Sequence, residues 1–370
     1  MSTKADPYTM QMHRRIDIIL FAVAFAIVAI LLSSSAKAAP LYWDTDNSPF
    51  LQAGNGDWST SIAPASQRWS NIPTGSTPAS WTQNSDAIFQ TNGISAVNVS
   101  GVGINAINVN SIAFNGTGYT ISGDPLTLTG FGGLITTNAS AIINTPLHGT
   151  VGLTKLGTAT LTLGSTSNAF SGATQVDAGT LLVVGNTPTG SAVTVSNAQT
   201  VLGGTGTVGG TVSVGPLATI NAGLSGPAGT ALAVGNLTTG ALSLSGALHT
   251  DAAGTAAANW DKITAPGTFT INSTATFDVS IPSGLIFAAN TTYVLVDATT
   301  LSGTFTGFDE GSLYTTNGYT FTVHYDIDGG NFDLISVPEP STWALLGWSL
   351  ALVGFTQRRR FQKLARLRAS

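Results

Sequence analysis

Between Ala39 and Val337 a Gly, Asn or Pro interrupts the chain at short intervals throughout. No segment of that body carries a helical apolar period, and what stands between the breaks is short and alternating. Examples are SAVNV at 95–99, INVNSIA at 107–113, TLTL at 160–163, VTV at 193–195 and LSL at 242–244. Such runs read as strands separated by turns, and none is long enough to bury a face alone. The arrangement that serves many small strands is a solenoid whose rungs share one apolar column, with Val, Leu and Ile inward and Thr, Ser and Asn outward. Its structural liability is the open strand edge at each end, which must be capped.

Composition fits that plan. Charged residues make up 8% of the 370, against roughly 25% in an average soluble domain. Hydroxyl-rich outer faces then replace charge, and a mean hydropathy of +0.27 needs no membrane-embedded body. The net charge of −5 hides a segregation: ten of the 13 cations lie near the ends. Only Arg68, Lys155 and Lys262 stand between residues 39 and 337, against 15 of the 18 acids, which leaves that segment at −12. So acidic a body repels phosphate backbones, which argues against nucleic acid as a partner. Cysteine is absent, so no disulfide framework or thiolate chemistry exists.

The N-terminus carries Arg14-Arg15, 15 apolar residues from Ile18 to Leu32, and Ala36-Lys37-Ala38 ahead of Ala39. Fifteen helical residues reach about 22 Å, short of a ~30 Å hydrocarbon core. The pattern predicts a secretory signal helix over 1–38, cut by signal peptidase after Ala38, with an uncleaved anchor as the alternative.

Residues 152–184, GLTKLGTATLTLGSTSNAFSGATQVDAGTLLVV, resemble the autotransporter-associated β-strand repeat. The matching positions include Leu153, Lys155, Gly157, Leu161, Leu163, Asn168, Phe170, Gly172, Thr174, Val176, Ala178, Gly179, Thr180 and Leu181. The resemblance implies an all-β chain wound as a right-handed parallel β-helix. The expected organisation is an N-terminal cap with first rungs over 39–130, the β-helix over 131–255, and a C-terminal β-sheet cap over 256–336, where strands lengthen and aromatics alternate. The reading expects no many-stranded C-terminal barrel of the autotransporter kind after these parts.

Several constellations bear on chemistry. Gly204, Gly206 and Gly209 satisfy G-x-G-x-x-G, but a strand (TVSV) follows in place of a helix, so they read as turn glycines. Asp326, Asp328 and Asp333, in YDIDGGNFD, offer carboxylates as a weak calcium site, whereas the D-G-G pair between alternating runs signals a hairpin. No other metal or cofactor is expected. Trp43, Trp58, Trp69 and Trp81 cluster just past the expected cleavage point and suit either an N-terminal plug or a platform for stacking on glycans. The acids are scattered singly and His148, His249 and His324 are isolated, so no catalytic residues are assigned. A polysaccharide-cleaving groove would need an Asp brought within about 4 Å of a Lys or Arg.

The C-terminus, 337–370, orders its parts as Pro338-Glu339-Pro340, 13 residues from Trp343 to Phe355 that are apolar but for Ser349, then Arg358-Arg359-Arg360. The short apolar run reads as a transmembrane helix with cytoplasmic arginines. This order resembles the PEP-CTERM sorting signal, which implies recognition by exosortase, transient inner-membrane anchoring and delivery to the surface or matrix of a Gram-negative bacterium. The combined expectation is a secreted, non-enzymatic, adhesive or structural protein associated with exopolysaccharide or cell-surface glycans. The alternatives are a β-helical polysaccharide lyase or hydrolase and a self-assembling surface-layer subunit.

Overall fold

The computed structural model describes residues 38–46, 48–62, 68–75, 78–101, 103, 106–223, 234–326, 329–337, 348–354 and 357–358. The chain divides into Met1–Ala39 and Pro40–Ser370, and the described fold belongs to the second. That unit is almost wholly β, and its strands stack in parallel as a β-helix.

A middle rung shows how the sequence makes the coil. Leu147–Gly149, Leu153–Leu156 and Thr160–Leu163 follow one another as three short strands. The next turn repeats them as Ala169–Phe170, Thr174–Val176 and Thr180–Val183, each paired in parallel with its predecessor. Alternation places every second side chain inside, so Leu161 lies on Leu181, Leu181 on Leu202 and Leu202 on Ile220. In these rungs two strands belong to one sheet and the third to a second sheet. A rung alone would not fold: its few buried aliphatics contribute about 2 kcal/mol each. Ordering its backbone costs about 1–2 kcal/mol per residue. Stability therefore comes from stacking.

The corners need glycine. Gly157 and Gly179 take positive φ of +77° and +65° at equivalent turns, and a Cβ on Gly179 would meet the carbonyl oxygens of Ala159 and Gly157 at 2.6 Å. Rungs approach too closely there for any side chain.

At the N-terminal end the four tryptophans are buried, with exposures of 0% for Trp43 and Trp58, 1% for Trp69 and 5% for Trp81. Trp58 packs edge-on against Trp69 at 5.1 Å and Trp81 at 4.9 Å, and Phe89 carries the cluster into the column by stacking on Phe114 at 5.1 Å. The glycan platform is thereby corrected: rings sunk in the first rungs present no face to a sugar, and the plug is what the residues build.

The C-terminal change of character falls later than residue 256. Lys262–Ile271 and Thr292–Ser302 are still parallel rungs, long because each spans two faces of the coil. Only then does the chain reverse: Thr292–Ser302 pairs antiparallel with Asn331–Ser336, which pairs with Tyr319–Asp326, which pairs with Leu313–Thr316. This meander folds back over Thr276–Ser280, the last strand of the second sheet. Val279 N donates to the Tyr314 hydroxyl (2.9 Å), and its carbonyl accepts from Thr316 Oγ1 (3.1 Å). Asn317 Nδ2 donates to the Ile281 carbonyl (2.7 Å). Side chains thus close the edge that a solenoid would leave open.

The expected signal helix, with Ala36, lies outside the described residues, while Ala38 and Ala39 are described without regular structure. Pro338, Glu339, Pro340, Arg359 and Arg360 also lie outside them, and Arg358 is exposed. Residues 348–354 are helical, and among the described residues no helix is long and apolar enough to cross a membrane.

Candidate functional site

The register that stacks the core also aligns the outer surface. On one face Thr154, Gln175, Thr194, Ser213, Ser243, Thr270 and Ser302 stand one above another. Six steps of about 4.8 Å give an uncharged column roughly 29 Å long. Hydroxyls and an amide at a fixed repeat can donate to and accept from a polymer of hydroxyl groups, and they keep an almost chargeless surface wet.

The sequence-derived candidates separate. Gly204, Gly206 and Gly209 sit where a Cβ would strike the carbonyls of Val183, Gly185 and Pro188 on the preceding rung, so they are packing glycines. Asp326 terminates a hairpin: its Oδ1 accepts from Gly329 N (2.8 Å) and its carbonyl from Gly330 N (2.6 Å). Asp333 lies one register step away beside His324 Nδ1 (3.4 Å), with burial holding its carboxyl above the usual range. Asp328 lies outside the described residues. Asp326 and Asp333 thus face different neighbours, and the calcium reading, which needs Asp328 as well, extends outside the described residues. Among the described residues no three His, Cys, Asp or Glu are grouped to hold a metal ion.

Two polar groupings escaped sequence reasoning. In the first, His249 on Ala247–Asp251 is held between Asp278 Oδ2 on Nδ1 (2.5 Å) and Asp251 Oδ1 on Nε2 (3.3 Å). Behind it, Asp261 accepts from Asp251 N (3.0 Å) and Gly235 N (2.7 Å). The hydrogen bonds from Asp251 and Asp278 push His249 up to about 10, and burial pushes Asp261 up to about 7. With both ring nitrogens engaged, His249 has no lone pair for base catalysis, and the grouping is a clamp between successive rungs.

Both groups hold protons more tightly folded than unfolded. The His249 contribution is full below its ordinary 6.5 and is lost as pH rises through about 10, and that of Asp261 is lost between 3.8 and about 7. The melting temperature should therefore fall as pH is raised from 6 to 10, by a thermal scan followed by circular dichroism. His249→Gln should flatten that fall, and an unchanged slope in the variant would remove His249 as its cause.

The second grouping is a cleft of about 470 Å³ where the coil meets the meander, lined by Asn236, Ala257, Ala258, Trp260, Lys262, Val294, Asp297 and Asn331 among others. Lys262 Nζ lies 3.2 Å from Asp297 Oδ2, with side chains 37% and 46% exposed. Asn236 and Lys262 face each other in parallel register, and Asp297 and Asn331 in antiparallel register. The sole sequence signal was Lys262, one of three cations in the body, because partners so far apart along the chain share no local motif.

The Passenger-associated-transport-repeat family model matches residues 153–183, the segment that builds two of the regular rungs. Over 169 residues the chain is 32% identical to the adhesin BmaC autotransporter of Brucella suis biovar 1 (strain 1330), covering 45% of this chain. The chain spans about 5% of that relative's length. These similarities bear out an autotransporter-associated repeat within an otherwise all-β chain.

Proposed function

We propose that this chain is a secreted, non-enzymatic surface protein that adheres to, or scaffolds, hydroxyl-rich exopolysaccharide. The carrying observation is the uncharged column from Thr154 to Ser302, held in register by the solenoid. The similarity of almost half the chain to an autotransporter adhesin supports the reading. Export runs through the signal at 1–38, and sorting through Pro338-Glu339-Pro340, the apolar run and Arg358-Arg359-Arg360, with exosortase releasing the chain from the inner membrane. The right hand of the coil follows the general preference for parallel crossovers.

Cells producing the full chain should display it to external antibody and bind an exopolysaccharide-coated surface. Alanines at 338–340 should leave it cell-retained with an unprocessed mass and abolish the gain in binding. Unchanged mass and display in that variant would sink the sorting scheme, and surface display without added binding would sink the adhesive role.

A second reading regains ground from the Lys262–Asp297 pair, which meets the distance that a polysaccharide-cleaving groove requires. Lys262 and Asp297 are committed to each other and are the only titratable side chains lining the cleft among the described residues, which keeps catalysis second.

A further inference from the structure

We infer that the cleft between coil and meander is a binding site for an uncharged saccharide, an inference that rests on the proposed association with polysaccharide and gives it a location. Its chemistry is mixed on a fine scale. Ala257, Ala258 and Val294 supply small apolar surface, and the buried Trp260, stacked on Tyr293 at 4.3 Å, packs behind them as a rigid support rather than as an open ring face. A sugar ring presents the matching alternation of C–H faces and hydroxyls.

The polar groups are set for hydroxyls. Asn236 Oδ1 accepts from Thr264 Oγ1 (3.0 Å), which orients the amide and leaves Nδ2 to donate outward. Asn331 Oδ1 is buried yet has no hydrogen-bond partner in the protein. An unpaired buried carbonyl costs about 1–3 kcal/mol, and a ligand hydroxyl donating to it would recover that. Lys262 and Asp297, already paired at 3.2 Å, offer one donor and one acceptor while cancelling each other's charge.

Charge decides the ligand class. Asp297 lines the cleft, and Asp326 stands opposite Asn331 in the sheet. Within a body of net −12 these acids disfavour uronic acid or sulfated chains, whereas an uncharged sugar carries no such penalty. The volume of about 470 Å³ falls within the ~300–1,000 Å³ of small-molecule sites.

The test is calorimetric titration of the full chain with three probes: cellohexaose, N-acetylchitohexaose and a galacturonate hexamer. At least one uncharged probe should bind no less than tenfold more tightly than galacturonate. Asn331→Asp and the exposed Asn236→Ala should each weaken it about tenfold, with unchanged circular dichroism confirming the fold. Absence of binding by both uncharged probes, preference for galacturonate, or indifference to both variants would overturn the inference. Failed titration with intact cell adhesion removes the cleft but not the adhesive role, and intact titration with failed adhesion does the reverse. Shortening of the probe during titration would keep the cleft as a saccharide site and move the function to the cleaving reading.

Discussion

Lys155→Ala is expected to lower the unfolding free energy by about 3 kcal/mol. Lys155 occupies an inward position between Ile135 and Val176 and is fully buried. Its ammonium donates to the carbonyls of Leu156 (3.0 Å) and Gly157 (2.7 Å) on its own turn and Ala178 (2.8 Å) on the next. It therefore stitches two rungs at the corner where Gly157 turns the chain. Alanine would leave three carbonyls facing the void of a missing four-carbon stem, at about 1 kcal/mol per lost bond plus a cavity term. Burial pushes the Lys155 ammonium down to about 8, so removing the charge returns part of that loss. Lys155→Met refills the stem without donors and should recover roughly half of the deficit. Urea unfolding with an unchanged slope reads both variants. If Lys155→Met matched the parent, packing alone would explain the lysine and the hydrogen-bond role would be withdrawn.

Uncapping the last strand of the second sheet should turn a discrete particle into an associating one. Tyr314 and Thr316 supply the bonds to Val279 on the edge of Thr276–Ser280, and Asn317 bonds Ile281 just beyond that strand. The combined variant Tyr314→Phe, Thr316→Val, Asn317→Gly removes them while preserving shape. Glycine retains the +46° φ that residue 317 needs in its tight turn before Gly318. The expected loss is about 3 kcal/mol from three bonds. Edge pairing between copies should then appear as concentration-dependent association in sedimentation velocity. A variant that stays one species over a wide concentration range would show that the meander's bulk, not its side-chain bonds, protects the edge. The same capping argues against stacking of the parent chain through this end, which weakens the self-assembling surface-layer reading.

Much of the fold was legible because a solenoid is written locally. Each rung needs a strand alternation and a glycine at a corner, and the segment 152–184 displays both. The tryptophans show the limit of that reading. Their clustering was visible, but whether indoles lie inside a coil or upon it depends on the closure of rungs around them, and the structure buries all four. Asp326 and Asp333 likewise looked alike as sequence, yet one ends a hairpin and the other sits by His324. The hairpin itself was foreseeable from D-G-G, since turn chemistry is local.

What the sequence determined by itself is the part set by neighbours along the chain: strand period, turn positions, the repeat, and the segregation of charge to the ends. What only the tertiary structure decided is which distant residues meet. Stacking rungs brings His249 to Asp278 and Asn236 to Lys262, and reversing the last strands brings Asn331 to Asp297 and Tyr314 to Val279. Those meetings depend on the length of chain in each rung and on the point where parallel winding gives way to antiparallel return. Neither is carried by any single residue, which is why the closed edge and the cleft emerge from the coil and not from a motif.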